Sequence, residues 1–213
     1  MRRLPVYLLL DCSSSMTGAP IIAVNEGLEL LYRELMKDPQ TRETAWISLI
    51  RFASKASQDA LVPVDQFVPP TLTASGGTAM GGAFHILAQS IKQDLVASGN
   101  GVRGDYRPLV FLLTDGQPGD DWHTPLNELN SLRGSQKPTF IALGCGDGVD
   151  GAMLAQVTPN VFLMANVQPD ALKAFFKLIS GSIVSASRAA GANAGEVNMP
   201  SPENVPGVVK YSL

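Results

Sequence analysis

Apolar residues alternate between two textures along this chain. Short, nearly continuous runs occupy 4–10 (L-P-V-Y-L-L-L), 46–52 (W-I-S-L-I-R-F), 109–114 (L-V-F-L-L-T), 139–143 and 161–164. Turn-forming residues bound them, and they predict buried strands. Between them, apolar residues recur at helical spacing. Val24, Leu28, Leu31 and Leu35 mark one helix, and Phe84, Leu87, Ile91 and Leu95 a second. Shorter helices are predicted over 125–132 and 153–157, and a last one over 171–185, with Leu172, Phe175, Phe176, Ile179 and Ile183 inward. Asp38-Pro39 ends the first helix, because a residue before proline avoids helical geometry. Residues 61–64 predict a short edge strand whose pairing Pro63 limits.

The resulting order, β-α-β-β-α-β-α-β-α-β-α, implies an α/β fold: a doubly wound, mostly parallel sheet flanked by helices. Residues 98–107 are polar and Gly-rich and predict a loop. From about Arg188 the composition shifts to Ala, Gly, Asn and Pro. This divides the chain into a domain over 1–187 and a loose C-terminal tail over 188–213, with 208–211 a candidate docking strand.

Composition narrows the function classes. The 213 residues are 45% hydrophobic and 16% charged, with net charge −3. A nucleic-acid binder would normally carry a basic stripe, and none is present. The first apolar run is too short to span a membrane and closes on Asp11. It has no small-residue cleavage site, so a cytoplasmic chain with two reduced thiols, Cys12 and Cys145, is expected. His85 and His123 are too few for a histidine-based zinc site.

Three polar loops remain: D-C-S-S-S (11–15), S-G-G-T-A-M (75–80) and T-D-G-Q-P (114–118). In a doubly wound sheet, ligands bind at the carboxyl ends of strands where the strand order reverses. In the order 3-2-1-4-5-6, Asp11 ends strand one and Asp115 ends strand four, so the two carboxylates are expected to meet. Carboxylates and hydroxyls are hard oxygen donors that suit Mg²⁺, Mn²⁺ or Ca²⁺. Two carboxylates roughly neutralise a divalent ion, and an open position favours an anionic ligand from a partner.

These pieces, in this order, resemble the von Willebrand factor A (vWA) domains. D-C-S-S-S matches their D-x-S-x-S. Gly76-Gly77-Thr78 and L-L-T-D-G (112–116) match the rest of their metal-ion-dependent adhesion site. The resemblance covers about residues 4–187. It implies a vWA, Rossmann-like fold, with Ser13, Ser15 and Thr78 ligating Mg²⁺ (or Mn²⁺) by hydroxyls and Asp11 and Asp115 acting directly or through water. An Asp or Glu of a protein partner would complete the shell. Family members are mostly non-enzymatic. Within the family, V-Y-L-L-L-D-C-S-S-S-M-T-G (6–18) is similar to TerY-type tellurium-resistance proteins. That implies a scaffold in metal stress beside a protein kinase and a PP2C-type phosphatase, with no membrane and no nucleic acid.

Other features have plainer readings. Asp120-Asp121 suit a solvated loop or the cap of the helix near Pro125. G-D-G-V-D-G (146–151) lacks the alternating acids of a calcium loop and suits a turn. Cys12 suits a small buried filler and Trp46 the strand core. Trp122 reads as a candidate exposed rim residue near the site. The competing function is a Mg²⁺-dependent phosphohydrolase of haloacid dehalogenase type, with Asp11 as nucleophile. That chemistry needs a second acid two residues on, and position 13 is Ser.

Overall fold

The computed structural model describes residues 2–97, 101, 103–146, 148–165, 169–191, 205 and 207–211. The strands are β1 (Leu4–Asp11), β2 (Ala45–Phe52), β3 (Ala56–Gln58), β4 (Val62–Pro63), β5 (Leu109–Thr114), β6 (Thr139–Cys145), β7 (Val161–Met164) and β8 (Val208–Lys210). The helices are α1 (Ala19–Met36), α2 (Pro39–Thr44), α3 (Met80–Asp94), α4 (His123–Ser131), α5 (Gly151–Val157) and α6 (Pro169–Gly191). Among the described residues the strands form one sheet, in the order β3-β2-β1-β5-β6-β7-β8, with β4 also on β2. Strands β2, β1, β5, β6 and β7 run parallel, and the short β3, β4 and β8 pair antiparallel. This is the expected mostly parallel α/β sheet with its edges closed by short antiparallel strands.

Period-two alternation along the strands builds two cores. Leu4, Val6, Leu8 and Leu10 of β1 join Leu109, Phe111 and Leu113 of β5 beneath α1 and α6. Tyr7 and Leu9 join Val110 and Leu112 on the opposite face, beneath α3, α4 and α5. With both faces covered, the central strands read as continuous apolar runs.

The differences from expectation cluster at element ends. Asp38-Pro39 closes α1 but also opens α2, where Asp38 accepts from the Thr41 amide and hydroxyl at 2.9 and 2.7 Å. The edge strand of 61–64 shrinks to Val62–Pro63, and β3 is additional. Trp46 is half-buried rather than in the strand core, with the Arg3 guanidinium 5.0 Å from its ring centroid. Helix α6 continues to Gly191, past both 185 and 188: its buried face runs on through Ile183, Ala186 and Ser187, and Arg188 pairs with Asp38 at 2.7 Å. The candidate docking strand is present as β8 on β7. Parts of the predicted 98–107 loop (98–100 and 102), and 192–204 of the tail, lie outside the described residues.

Helix α1 packs on α6 through a glycine: a Cβ at Gly27 would sit 2.2 Å from the Phe176 ring. Gly27→Ala gains about 1 kcal/mol of helix propensity but incurs an overpacking cost of about 1–3 kcal/mol. The expected net result is a lower urea midpoint, and an unchanged or higher midpoint would show that the two helices separate freely.

Asp105 accepts from Arg3 Nε at 3.0 and 3.1 Å and from the Val96 amide at 2.9 Å, tying the segment after α3 to the entry of β1. Burial pushes its carboxyl pKa up, but the hydrogen bonds and charge of Arg3 outweigh this and leave it lowered. A lowered folded-state pKa stabilises above the unfolded value, and this contribution fades as pH falls through the folded value. Asp105→Asn should therefore lower the urea midpoint at pH 7, and the gap to wild type should narrow below about pH 4. A gap that persists undiminished in acid would rule out this linkage.

Candidate metal centre

Asp11 is the last residue of β1 and is fully buried. Its Oδ1 accepts from the Ser13 amide at 2.8 Å, which turns the chain sharply out of the strand. Its Oδ2 accepts from the Thr114 hydroxyl at 2.6 Å, so the end of β5 is fastened to the end of β1. The turn then presents Ser13 and Ser15 together, with their Oγ atoms 2.9 Å apart. Ser15 Oγ in turn donates to Asp115 Oδ1 at 2.7 Å. Four of the five predicted site residues thus form one hydrogen-bonded run across the β1/β5 crevice.

Thr78 joins from the third loop. Its carbonyl accepts from the amides of Gly119, at 2.8 Å, and Met80. Its hydroxyl lies 3.8 Å from where a Cβ on Gly116 would stand, next to Asp115. The loop itself is pinned at several points. The Ser14 amide donates to the Gly76 carbonyl at 3.0 Å, and the Ser75 amide to the Cys12 carbonyl at 2.8 Å. The Gly77 amide donates to Ser54 Oγ at 3.0 Å. Gly76 has φ 77°, and a Cβ there would meet Ser54 Oγ at 2.2 Å, so this position requires glycine.

Burial raises the Asp115 carboxyl pKa, as does the charge of Asp11, while hydrogen bonds from Ser15 and Ser13 pull it down. Burial pushes the Cys12 thiol to about 11 and Cys145 to about 12. Both thiols stay protonated at neutral pH and are buried, as the filler reading of Cys12 expects. Among the described residues no three His, Cys, Asp or Glu side chains gather as a metal site. The donors at the crevice are instead two carboxylates and the hydroxyls of Ser13, Ser15 and Thr78. This all-oxygen set fits a hard divalent cation.

Two residues beyond the predicted set shape the site. Thr114 satisfies the buried Asp11, and its only signal in the sequence was its place before Asp115 in L-L-T-D-G. Asp120 accepts from the amides of Gly81 and Gly82, both at 2.8 Å. It thereby anchors the start of α3, two residues after Thr78, rather than lying in a free loop. Asp121 caps α4 as read, accepting from the His123 and Thr124 amides at 3.0 and 3.3 Å. Trp122 is a correction: it is 8% exposed and stacks on His123, because the close approach of Gly81 to the 121–122 backbone turns the indole into the core beside α3. It is not a rim anchor. In the 146–151 segment, Asp147 lies outside the described residues, and Asp150 caps α5 through the Ala152 amide at 2.8 Å.

The sequence profile of the von Willebrand factor type A domain matches residues 6–177, and the chain belongs to that family. A search of the curated proteins returns no match. Among solved structures, a von Willebrand factor type A protein from Catenulispora acidiphila is 16% identical, with a TM-score of 0.64, over 86% of this chain and 43% of its own. The proximal thread matrix protein 1 of the mussel byssus, with a zinc-occupied MIDAS motif, is 19% identical, with a TM-score of 0.53, over 84% of this chain and 46% of its own. The manganese-loaded TRAP protein of Plasmodium vivax is 21% identical, with a TM-score of 0.55, over 82% of this chain and 73% of its own. The chain spans less than half the length of the first of these structures.

Thr114→Val keeps the side-chain shape and removes the donor to Asp11. The expected cost is about 1–3 kcal/mol, the penalty for leaving a buried acceptor short of a partner, and Thr114→Ser should restore most of it. Equal urea midpoints for Thr114→Val and wild type would show that Asp11 does not depend on this bond.

Proposed function

We propose that this chain is a non-enzymatic protein-binding module that works through a divalent cation, Mg²⁺ or Mn²⁺. Ser13, Ser15 and Thr78 would ligate the ion by their hydroxyls, and Asp11 and Asp115 would act directly or through water. The observation that carries this reading is the Asp11–Ser13–Ser15–Asp115 run at the carboxyl ends of two adjacent parallel strands. When bound, the ion supplies Lewis-acid attraction for an Asp or Glu of the partner. The zinc and manganese named for two structural neighbours support a site of this kind.

The haloacid dehalogenase alternative is disfavoured on the residue two places after Asp11. That chemistry needs a second acid there to protonate the leaving group, whereas Ser13 holds the position and its Oγ is hydrogen-bonded to Ser15 Oγ at 2.9 Å. The finer assignment, a scaffold in tellurite or metal-stress resistance with kinase and PP2C-type phosphatase partners, rests on the resemblance of residues 6–18 to TerY-type proteins. A cytoplasmic location belongs to the same proposal. Among the described residues no helix is long and apolar enough to cross a membrane.

Mn²⁺ titration followed by water-proton relaxation tests the metal, with Asp115→Ala and Thr78→Val alongside the buried Asp11→Ala. Each variant should weaken binding by at least about tenfold, the lower end of what even outer partners of metal ligands contribute. Wild-type affinity in all three would overturn the assignment. A pull-down in Mg²⁺ and in EDTA then reads the bridge, and a partner indifferent to both Mg²⁺ and Asp115→Ala would place recognition on another surface.

A further inference from the structure

A second polar pocket adjoins the metal loops. Its volume is about 260 Å³, and Cys12, Arg51, Lys55, Ser57, Thr71 and Thr73 line it. A water's share of liquid volume is about 30 Å³, so a carboxylate or phosphate fits with attendant water. The lining offers hydroxyl and cationic donors. Arg51 is already balanced, since its guanidinium pairs with Asp59 at 2.7 Å and its Nε donates to Ser57 Oγ at 3.0 Å. Lys55 is exposed and forms no ion pair among the described residues, so the lining carries one uncompensated positive charge.

The pocket shares its backbone with the metal loops. Cys12 lies between Asp11 and Ser13, and its amide donates to the Phe52 carbonyl at 2.7 Å. The β2–β3 turn that carries Lys55 also holds the third loop, through Ser54 Oγ to Gly77 and the Ala53 carbonyl to Ala79. A chain segment laid across the metal loops would therefore pass the mouth of this pocket.

We propose that this pocket is an anion subsite. It receives a second acidic group, carboxylate or phosphate, of the same partner segment whose Asp or Glu reaches the metal. The inference rests on the metal-bridged reading above and narrows the partner to a segment bearing two anionic groups, with Lys55 as the selecting cation.

The test uses the full chain. Inorganic phosphate and acetate are titrated into metal-free protein, and amide resonances are followed by heteronuclear NMR. The two anions distinguish a preference for phosphate from one for carboxylate. Shifts are expected at 51–57 and 71–73. Lys55→Gln should weaken them about three- to fivefold, the upper range for an exposed ion pair, and Lys55→Arg should retain them. In saturating Mg²⁺, peptides with two glutamates joined by glycine spacers of graded length should bind wild type more tightly than the same peptides with the second glutamate changed to glutamine. That gain should vanish in Lys55→Gln. Shifts elsewhere, shifts untouched by Lys55→Gln, or no charge-dependent gain at any spacer would overturn the subsite. Mn²⁺ titration of the same samples separates the two readings. Mn²⁺ binding equal in wild type and Lys55→Gln leaves the metal reading intact whatever the pocket does, and failure of wild type to bind Mn²⁺ refutes the metal reading itself.

Discussion

A carboxylate shut away from water at the end of a central strand is the constraint on which this crevice depends. Burying an ionised group without partners costs far more than any one contact returns. Asp11 is fully buried, so its oxygens must find donors. One donor is the amide of Ser13, which forces the chain out of β1 as a tight turn. The other is the hydroxyl of Thr114, which belongs to the neighbouring strand. Satisfying Asp11 thus sets the turn that aligns the serines and fixes the register of β1 against β5 at the point where they meet Asp115.

The third loop is held by backbone groups instead. Gly76 gives its carbonyl to Ser14, Ser75 gives its amide to Cys12, and Gly77 gives its amide to Ser54. Asp120 then grips the amides that open α3 just beyond Thr78. Amides at a helix start lack intrahelical partners and favour negative charge, so a carboxylate from the 114–122 segment locks two of the three loops to each other. Preorganisation of this kind lets hydroxyl donors converge without the side-chain entropy that free loops would lose on binding.

Beneath α1 and α6 the packing is close enough that Gly27 admits only the Phe176 ring. Arg188 of α6 reaches Asp38, the residue that caps α2, so the end of the long helix is tied to the turn between α1 and α2. The pocket beside the polar loops opens on this same side of the sheet, since Cys12 and Leu72, which line it, belong to the core beneath α1 and α6. The β2–β3 turn that carries Lys55 is hydrogen-bonded to the loop that carries Thr78, through Ser54 and Ala53, and this sets a cationic surface beside a crevice lined by carboxylates.

Much of this was legible in the sequence. Continuous apolar runs require burial on both faces and so a parallel sheet under helices, and β5 and β7 fall on the predicted residues. The meeting of Asp11, Ser13, Ser15 and Asp115 was legible because D-C-S-S-S and T-D-G each follow a buried apolar strand, whereas Thr78, in the loop before α3, was marked by the family resemblance. What tertiary structure alone decided were partnerships between segments distant in the chain. The bond from Thr114 to Asp11, the grip of Asp120 on α3, the inward turn of Trp122, the Arg188–Asp38 pair and the lack of an ion pair for Lys55 among the described residues all depend on which loop lies beside which. Local pattern encodes the period and burial of an element, whereas a donor finds its acceptor only after the sheet order has brought their loops together.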